Sequence, residues 1–349
     1  MGKASFSTRV LRWYDRHGRH DLPWQQQRTP YRLWVAEVML QQTQVTTVIP
    51  YYQRFMLAFP DLTGLAEASL DHVLERWAGL GYYSRARNLH KAARLIMTEH
   101  DGNFPLILEE LMALPGIGRS TAGAILAQAL GQQHTILDGN VKRVLCRYHA
   151  VAGWPGKTAV QKQLWQHAKR YTPTRRVAEY TQAIMDLGAT LCTRSSPQCG
   201  QCPLQTDCAA YQNDTVKRYP APRPRKQLPV KAARLLILTD AATGRIMLEK
   251  RPPSGIWGGL WSLPEVSLGD KIAQVCQQRW GLSVLTNEDY APFRHTFSHY
   301  HFEITPCKVS VASGEKKVQE NNDITWCLSL DAQKRALAAP VARIISRHG

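Results

Sequence analysis

Two patterns of hydrophobic and polar positions follow one another along the chain. From residue 5 to about 190, apolar residues recur at helical spacing in segments such as VLRWY, YRLWVAEVMLQQT, LDHVLERWAGL, RNLHKAARLIM and TAGAILAQAL. Proline and glycine separate these segments, as in FPDLTG and ALPGIG. The pattern therefore predicts a region built only of helices over the first half of the chain.

A different pattern begins after residue 231. ARLLILTD, GRIMLEKR and FEITPCKVSV are typical of strands, and LGDKIAQVCQQRWG is typical of one amphipathic helix. Between the two patterns, YPAPRPRKQLPVK at 219–231 mixes four prolines with basic residues, as in an extended linker. We therefore predict a helical domain over 1–216, a linker over 217–231 and an α+β domain over 232–349.

The charge of the chain predicts a polyanionic partner. Lys and Arg number 44 against 27 Asp and Glu among 349 residues, a net charge of +17. Nucleic acid is the first candidate and an anionic membrane surface the second. No apolar run reaches the roughly 18 residues of a membrane span, and the start MGKASFSTRV lacks the apolar core of a signal peptide. We expect a cytoplasmic protein whose thiols stay reduced.

Four of the eight cysteines fall within the stretch CTRSSPQCGQCPLQTDC. Their spacing is C-x6-C-x2-C-x5-C, and four thiolates so close in sequence can converge on one metal centre. A zinc ion is one interpretation, because C-x2-C suits tetrahedral zinc. An iron–sulfur cluster is the other. The spacing alone favours neither for Cys192, Cys199, Cys202 and Cys208.

Two carboxylates are candidates for acid–base chemistry. Glu37 belongs to a mostly apolar helical segment with Trp34, Val38 and Met39 nearby, so its pKa should rise and suit a general acid. The alternative is an ordinary glutamate on a solvated helix face. Asp138, in LDGNV, is expected to cap a helix in any case. The two residues lie far apart in sequence, so only the fold can bring them together.

The segment LPGIG, at 114–118, lies between two helical runs. Gly116 and Gly118 allow a sharp turn and a close approach of the backbone to a ligand. The helix that follows would point free N–H groups outward, which is a suitable site for a phosphate. An ordinary helix–helix turn is the alternative.

Taken in order, VMLQQTQV, GLGYYSRARNL, LPGIGRSTAGAIL, LDGNVKRVL, MDLGATLCT and the cysteine spacing resemble the MutY-type adenine DNA glycosylases. These belong to the helix–hairpin–helix superfamily that includes endonuclease III. The resemblance implies an all-α helix–hairpin–helix domain with a 4Fe–4S cluster bound by the four cysteines. It also implies an enzyme that hydrolyses the N-glycosidic bond of adenine mispaired with 8-oxoguanine or guanine in double-stranded DNA. We expect this enzyme to be a monomer.

The resemblance assigns roles to particular residues. Glu37 would protonate adenine, Asp138 would stabilise the positive charge on the sugar, and Asn140 would orient Asp138 or a water molecule. The residues expected to contact DNA or the flipped base are Trp24, Gln41, Gln42, Tyr82, Gly116, Gly118, Ser120, Lys142 and Gln182. Ser120 stands where endonuclease III-type lyases carry the lysine that forms a Schiff base, which predicts a monofunctional glycosylase. Lys142 is interpreted as a phosphate contact.

The second domain opens with RPPSGIWGGLWSLPE, which resembles the start of a Nudix fold. Val275, Gln278 and Arg279 occupy the positions of the glutamates that hold magnesium in Nudix hydrolases, so we expect no pyrophosphatase activity. The resemblance implies that Phe297, Ser298 and His299 recognise 8-oxoguanine. A half-buried strand end is the alternative for this FSH segment.

Two other functions remain open at the level of sequence. One is a pyrimidine-specific glycosylase and lyase of the endonuclease III kind, against which Ser120 and the second domain argue. The other is a lesion-binding protein without catalysis, against which Glu37 and Asp138 argue.

Overall fold

The computed structural model describes residues 4–224, 227–312 and 323–349. The chain forms two compact units. Met1–Glu67 and Asn88–Arg225 make up the first unit, and Ala68–Arg87 and Lys226–Gly349 make up the second. The later division falls within the predicted linker. The inclusion of residues 68–87 in the second unit has no counterpart in the sequence-based division.

Helices dominate the first half of the chain. In chain order they are α1 (Phe6–His17), α2 (Pro23–Gln26), α3 (Pro30–Leu40), α4 (Val45–Ala58), α5 (Leu62–Glu67), α6 (Leu70–Trp77), α7 (Ser84–Glu99), α8 (Leu108–Ala113), α9 (Arg119–Leu130), α10 (Gly139–Tyr148), α11 (Thr158–Tyr171), α12 (Val177–Asp186) and α13 (Ala209–Gln212). A π-helical turn, Leu187–Leu191, continues α12, and short 3₁₀ turns lie at Cys199–Gln201, Gln205–Asp207 and Val216–Arg218. Of these elements, α6 and the start of α7 belong to the second unit.

Side-chain caps fix where several helices begin. Ser5, Thr29 and Asp138 each accept a hydrogen bond from a backbone N–H in the first turn of α1, α3 and α10. Each such cap stabilises the protein by about 1 kcal/mol. Pro30 follows the Thr29 cap at the first position of α3, where its missing N–H removes no helical bond.

The central helices of the first unit, α3 and α9, are packed tightly. Leu33, Trp34 and Met39 of α3 are fully buried. In α9, a Cβ atom added to Gly123 would lie 2.9 Å from the carbonyl oxygen of Thr135. The glycine therefore lets α9 approach the segment that leads into Asp138.

Over the residues that the structure describes, the second unit is an α+β domain around one eight-stranded sheet. Besides α6 and the start of α7, its elements are β1 (Val230–Asp240), β2 (Ile246–Lys250), β3 (Trp261–Ser262), β4 (Glu265–Val266), α14 (Ile272–Trp280), β5 (Val284–Asp289), β6 (Phe293–Thr296), β7 (His301–Val311), β8 (Ile324–Cys327), α15 (Ser329–Ala332) and α16 (Ala339–His348). The main strand order is β3-β2-β1-β7-β5, with β4 beside β1, β6 beside β7 and β8 beside β2.

The two longest strands, β1 and β7, pair in parallel in the middle of this sheet. Leu236, Leu238 and Val309 from these strands share a buried core with Cys276 of α14. The predicted combination of an all-helical domain and an α+β domain is thereby confirmed. None of the helices in the described residues is both long and apolar enough to cross a membrane.

Candidate active site and cysteine loop

Glu37 and Asp138 line the same cavity of the first unit, which has a volume of about 510 Å³. The cavity lies between α3, the starts of α9 and α10, and α12. The sequence-predicted residues that also line it are Trp24, Gln41, Gln42, Gly118, Ser120, Asn140 and Gln182. Residues that the sequence reasoning missed, among them Arg19, Leu40 and Met185, complete the wall.

The carboxyl group of Glu37 lies in a largely desolvated position on α3. The Nε2 of Gln128 on α9 donates a hydrogen bond to Glu37 Oε1 over 3.2 Å. Burial, and next the negative charge of Asp138, raise the pKa of Glu37 to about 7, although the Gln128 hydrogen bond acts in the opposite direction. Glu37 can therefore hold a proton near neutral pH.

Asp138 is the N-cap of α10 and is surrounded by donors. Its Oδ1 accepts the N–H of Val141 at 2.7 Å, and its Oδ2 accepts from the Asn140 side chain at 3.0 Å. Burial raises the pKa of Asp138, while these hydrogen bonds and the charge of Arg143 oppose the rise. Since these donors favour the ionised form, we infer that Asp138 is the member of the pair that loses its proton first.

The side chain of Asn140 is held in one orientation by Arg143. An Nη2 hydrogen of Arg143 goes to Asn140 Oδ1 at 2.7 Å, which leaves the Asn140 amide N–H group to face Asp138. The same guanidinium donates to the carbonyl oxygens of Gly188 and Cys192. A Cβ atom on Gly188 would lie 2.6 Å from Asn140 Cβ, so only glycine fits between these segments.

Other predicted residues of the cavity have local structural roles. Ser120 Oγ accepts the N–H of Leu137 at 3.0 Å, next to Asp138. Trp24 is buried, with its ring 5.4 Å from that of Tyr52 in an edge-on arrangement. Gln42, two residues after the end of α3, has a φ of +59°, which an asparagine or glycine would adopt more easily.

The predicted hairpin lies between α8 and α9. Gly116 has a φ of +81°, and a Cβ atom there would lie 3.0 Å from Asn88 Cβ. Gly118 is the N-cap of α9, and a Cβ atom at this position would meet open space. Gly116 thus requires glycine and Gly118 does not. Lys142 lies on α10 outside the residues that line the cavity.

The four clustered cysteines surround one largely apolar cavity. All four are free thiols, and Leu187, Leu191 and Leu204 line the same space. Burial is the main cause that raises the pKa of Cys202 to about 12, and it raises the pKa of Cys199 and Cys208 as well. Thiols in such surroundings ionise when a bound cation compensates the charge, so this donor set fits a metal centre.

The buried Arg147 of α10 holds the first part of the cysteine loop. It donates to Cys192 Sγ at 3.3 Å and to the carbonyl oxygens of Thr193 and Arg194 at 2.7 and 3.1 Å. Within the described residues, no three His, Cys, Asp or Glu side chains converge on a single ion. The four cysteines instead line the apolar cavity described above.

A second cavity, of about 410 Å³, lies in the second unit. Phe297, Ser298 and His299 line it together with Tyr82, which has a φ of +48° and is half exposed. Trp257, which the sequence reasoning missed, also lines it, with its ring centroid 5.7 Å from that of Phe297. The structure thus brings Tyr82 together with the FSH segment rather than with the cavity of Glu37.

Residues of α14 that stand in place of the magnesium-binding glutamates of Nudix hydrolases make other contacts. Val275 packs against the core of the second unit. The guanidinium of Arg279 forms two 3.0 Å hydrogen bonds to the carboxylate of Glu249.

Family models match three parts of the chain. Residues 35–170 match the HhH-GPD superfamily of base excision DNA repair proteins, residues 192–208 match the iron–sulfur binding domain of endonuclease III, and residues 234–347 match the NUDIX domain. The fold and the site therefore define a helix–hairpin–helix DNA repair protein with an iron–sulfur loop and a Nudix-like domain.

Relatives narrow this class. The adenine DNA glycosylase of Buchnera aphidicola subsp. Acyrthosiphon pisum is 37% identical over 99% of this chain and 98% of its own. The adenine DNA glycosylase of Homo sapiens is 38% identical over 85% of this chain and 65% of its own. The chain belongs to the adenine DNA glycosylase family.

Solved structures share the fold over part of the chain. A thermostable thymine-DNA glycosylase has a TM-score of 0.55 at 24% identity and covers 60% of this chain and 95% of its own. An endonuclease III in a non-covalent complex with DNA has a TM-score of 0.51 at 22% identity, covering 60% of this chain and 94% of its own. At these identities the similarity concerns the fold alone.

These comparisons confirm the predicted class of enzyme and its cofactor. The protein is a base-excision repair glycosylase that acts on DNA and hydrolyses the N-glycosidic bond of adenine. Its cysteine loop carries a 4Fe–4S cluster, which sets aside the zinc interpretation.

Proposed function

We propose that the enzyme removes adenine paired with 8-oxoguanine or guanine in double-stranded DNA, acting as a monomer and without cutting the strand. The observation that carries this proposal is the shared cavity of Glu37 and Asp138, in which one carboxyl group is set to hold a proton and the other to carry a charge. Departure of adenine needs both, because the base must be protonated and the sugar becomes positive.

Glu37 acts as the general acid. Adenine is a poor leaving group until one of its ring nitrogens is protonated. A carboxyl group with a pKa of about 7 is still protonated in part of the molecules at neutral pH and is acidic enough to give its proton away. General acid catalysis of this kind accelerates a reaction by about 10²- to 10⁴-fold.

Asp138 stabilises the sugar cation as the bond breaks. Its charge is held in place by Val141 and Asn140, so it needs no reorganisation when the positive charge develops. Asn140 in turn is fixed by Arg143. A water molecule then attacks the sugar, and Asp138 and Asn140 are the polar groups of α10 that orient it.

Ser120 supports a reaction by hydrolysis alone. Strand cleavage through a Schiff base needs an amine at the sugar, and no lysine is present among the described residues that line the cavity. The hydroxyl group of Ser120 instead accepts the N–H of Leu137. Lys142 is left to contact phosphate, like the N–H groups that follow Gly118.

The second unit recognises the base opposite adenine. Its cavity combines the aromatic rings of Tyr82, Trp257 and Phe297 with the hydroxyl of Ser298 and the imidazole of His299. Aromatic side chains stack on any base, and polar groups at their edge distinguish 8-oxoguanine from guanine by hydrogen bonds. Gln41 and Gln42 offer amide groups to base edges at the cavity of Glu37.

The iron–sulfur cluster secures the cysteine loop. Each of Cys192, Cys199, Cys202 and Cys208 would bind one iron as a thiolate. Arg147 then connects this loop to α10, the helix that begins at Asp138. The net charge of +17 supplies the attraction to phosphates, so binding should weaken steeply with salt.

A single-turnover assay on four duplexes tests the proposal. They contain adenine opposite 8-oxoguanine, guanine or thymine, and an oxidised pyrimidine opposite guanine, each treated with and without alkali. We expect release of adenine from the first two only, with strand breaks only after alkali. Cleavage of the oxidised-pyrimidine strand without alkali would contradict it, as would equal release of adenine opposite thymine. Analytical ultracentrifugation of the active enzyme checks the monomer.

A further inference from the structure

A chain of buried amide groups connects Glu37 to the ion pair of Arg19 and Asp186. The chain begins at Asp186, which is fully buried at the end of α12. The backbone N–H, Nε and Nη2 of Arg19 donate to this carboxylate over 2.8, 2.9 and 2.5 Å. The Nε2 of Gln182 donates to the same group at 2.7 Å. Since every partner is a donor, Asp186 acts only as an acceptor.

The next links are three glutamines. Gln25 Nε2 donates one hydrogen to Gln182 Oε1 at 2.8 Å and the other to Gln128 Oε1 at 2.7 Å. Gln128 Nε2 then donates to Glu37 Oε1 at 3.2 Å. Gln25, Gln128 and Gln182 are between 3% and 7% exposed, so water does not compete for these groups.

Asp186, the acceptor at one end, sets the direction of every hydrogen bond between the three glutamines. Because Asp186 accepts from the Gln182 nitrogen, the Gln182 oxygen must face Gln25, and Gln25 must present its nitrogen to it. The second hydrogen of that nitrogen fixes the oxygen of Gln128 in the same way. Gln25 Oε1 has no hydrogen-bond partner among the described residues. Because the nitrogen of Gln25 donates to Gln128 and to Gln182, its oxygen is left buried without a donor in the described part of the chain, which is unfavourable.

The consequence falls on Glu37. In a protonated carboxyl group the carbonyl oxygen is a stronger acceptor than the hydroxyl oxygen, so a hydrogen bond from Gln128 to Oε1 favours the acidic proton on the other oxygen. We propose that Gln128 and Gln25 are positioning residues that keep Glu37 Oε1 as an acceptor and so place the transferable proton on Oε2. This inference rests on the proposed role of Glu37 as the general acid. It adds a reason why the proton is presented from one defined atom.

The pH dependence distinguishes this role from simple packing. The charged groups that line the cavity with Glu37 are Arg19 and Asp138. Both charged residues are retained when Gln128 is replaced. The hydrogen bond from Gln128 favours ionised Glu37, so its loss should keep Glu37 protonated to higher pH. Above this pH the rate of adenine release declines, which gives the alkaline limb of the pH profile. Replacement of a residue that only fills space would lower the rate without moving the alkaline limb.

The test is single-turnover adenine release from the A:8-oxoguanine duplex as a function of pH, with the cluster-loaded enzyme. The variants are Gln128→Leu, Gln25→Met and the double variant. Gln163→Leu is the matched control, because Gln163 is an exposed glutamine on α11. The double variant removes both partners of a buried hydrogen bond and should fold even if a single variant does not.

We expect Gln128→Leu to lower the maximal rate by up to about 10²-fold, as misplacement of a catalytic group by about 1 Å can, and to move the alkaline limb of the pH profile to higher pH. Gln25→Met should act in the same direction with a smaller effect, the double variant should match Gln128→Leu, and the control should match the wild type. A wild-type rate and limb for Gln128→Leu, or a slower rate with an unmoved limb, would overturn the inference. Release of adenine by Glu37→Gln would instead refute the proposed general-acid role of Glu37 on which the inference rests, so the two failures can be told apart.

Discussion

The carboxyl groups of Glu37 and Asp138 line one cavity, in which burial, and next the charge of Asp138, raises the pKa of Glu37. One residue comes from the middle of α3 and the other from the cap of α10. Their different hydrogen-bonding environments suit Glu37 to hold a proton and Asp138 to carry a negative charge. Asp138 is met by N–H donors from its own helix, whereas Glu37 receives one amide donor in an apolar setting.

Replacement of Asp138 by serine separates capping from catalysis. Serine is as good an N-cap as aspartate, so α10 and the melting temperature should be retained. The charge facing the sugar is lost, and we expect the single-turnover rate to fall by about 10²-fold or more. The rate and thermal unfolding are measured on the same preparation. A serine variant with at least a third of the wild-type rate would argue against the electrostatic role.

The two hairpin glycines should respond differently to alanine. Gly116→Ala places a side chain at a positive φ against Asn88, which we expect to lower the free energy of unfolding by about 1–2 kcal/mol. Gly118→Ala meets no atom within 4 Å and should be nearly neutral. Chemical denaturation of both variants measures the difference. Equal stability of the two would contradict the geometry of this turn.

Ser298→Ala should weaken discrimination between 8-oxoguanine and guanine. Loss of one hydrogen bond is worth about 0.5–1.5 kcal/mol, which corresponds to about a two- to twelvefold change in the ratio of rates for the two duplexes. Ser267→Ala, at another exposed position of the second unit, is the control. The proposed recognition role of the FSH segment fails if Ser298→Ala keeps the wild-type ratio.

The histidine pair of the first unit should make stability depend on pH. The rings of His149 and His167 stack 3.7 Å apart, and burial, followed by the charges of His167 and Arg170, lowers the pKa of His149 to about 4. In the unfolded chain this pKa is about 6.5. The unfolded state therefore takes up the proton first, and stability should fall as the pH drops from about 6.5 to about 4.

His149→Phe should reduce this loss of stability, because the variant has no group to protonate. Melting temperatures between pH 4 and 8 provide the measurement, with His17→Asn as a control at an exposed position. An unchanged slope in His149→Phe would show that other groups cause the acid sensitivity.

Those parts of the molecule that depend on local patterns can be predicted from the amino-acid sequence. The helical period predicts the all-α region, and the LDGNV segment predicts the cap at Asp138 because capping involves residues only three apart. The spacing of Cys192 to Cys208 likewise predicts a shared metal centre. Glu37 can be predicted because it is a charged residue in a mostly apolar helix and because the surrounding motif resembles that of a known family.

The remaining features depend on contacts between distant segments. Gln25 and Gln128 are ordinary amides in the sequence, and their directions are set by Asp186, more than fifty residues from the nearer of the two. Residues 68–87 belong with the second unit through tertiary contacts that no local pattern encodes. For the same reason the sequence did not associate Tyr82 with Trp257 and the FSH segment.

The pH profile of single-turnover adenine release by the wild type and by Glu37→Gln tests whether Glu37 is the general acid. We expect the wild-type rate to decline as the pH rises through about 7, the pKa of Glu37. We expect Glu37→Gln to bind the mispaired duplex but to release no adenine. A wild-type rate that stays constant from pH 6 to 9, or normal release by Glu37→Gln, would contradict the assignment of Glu37 as the general acid.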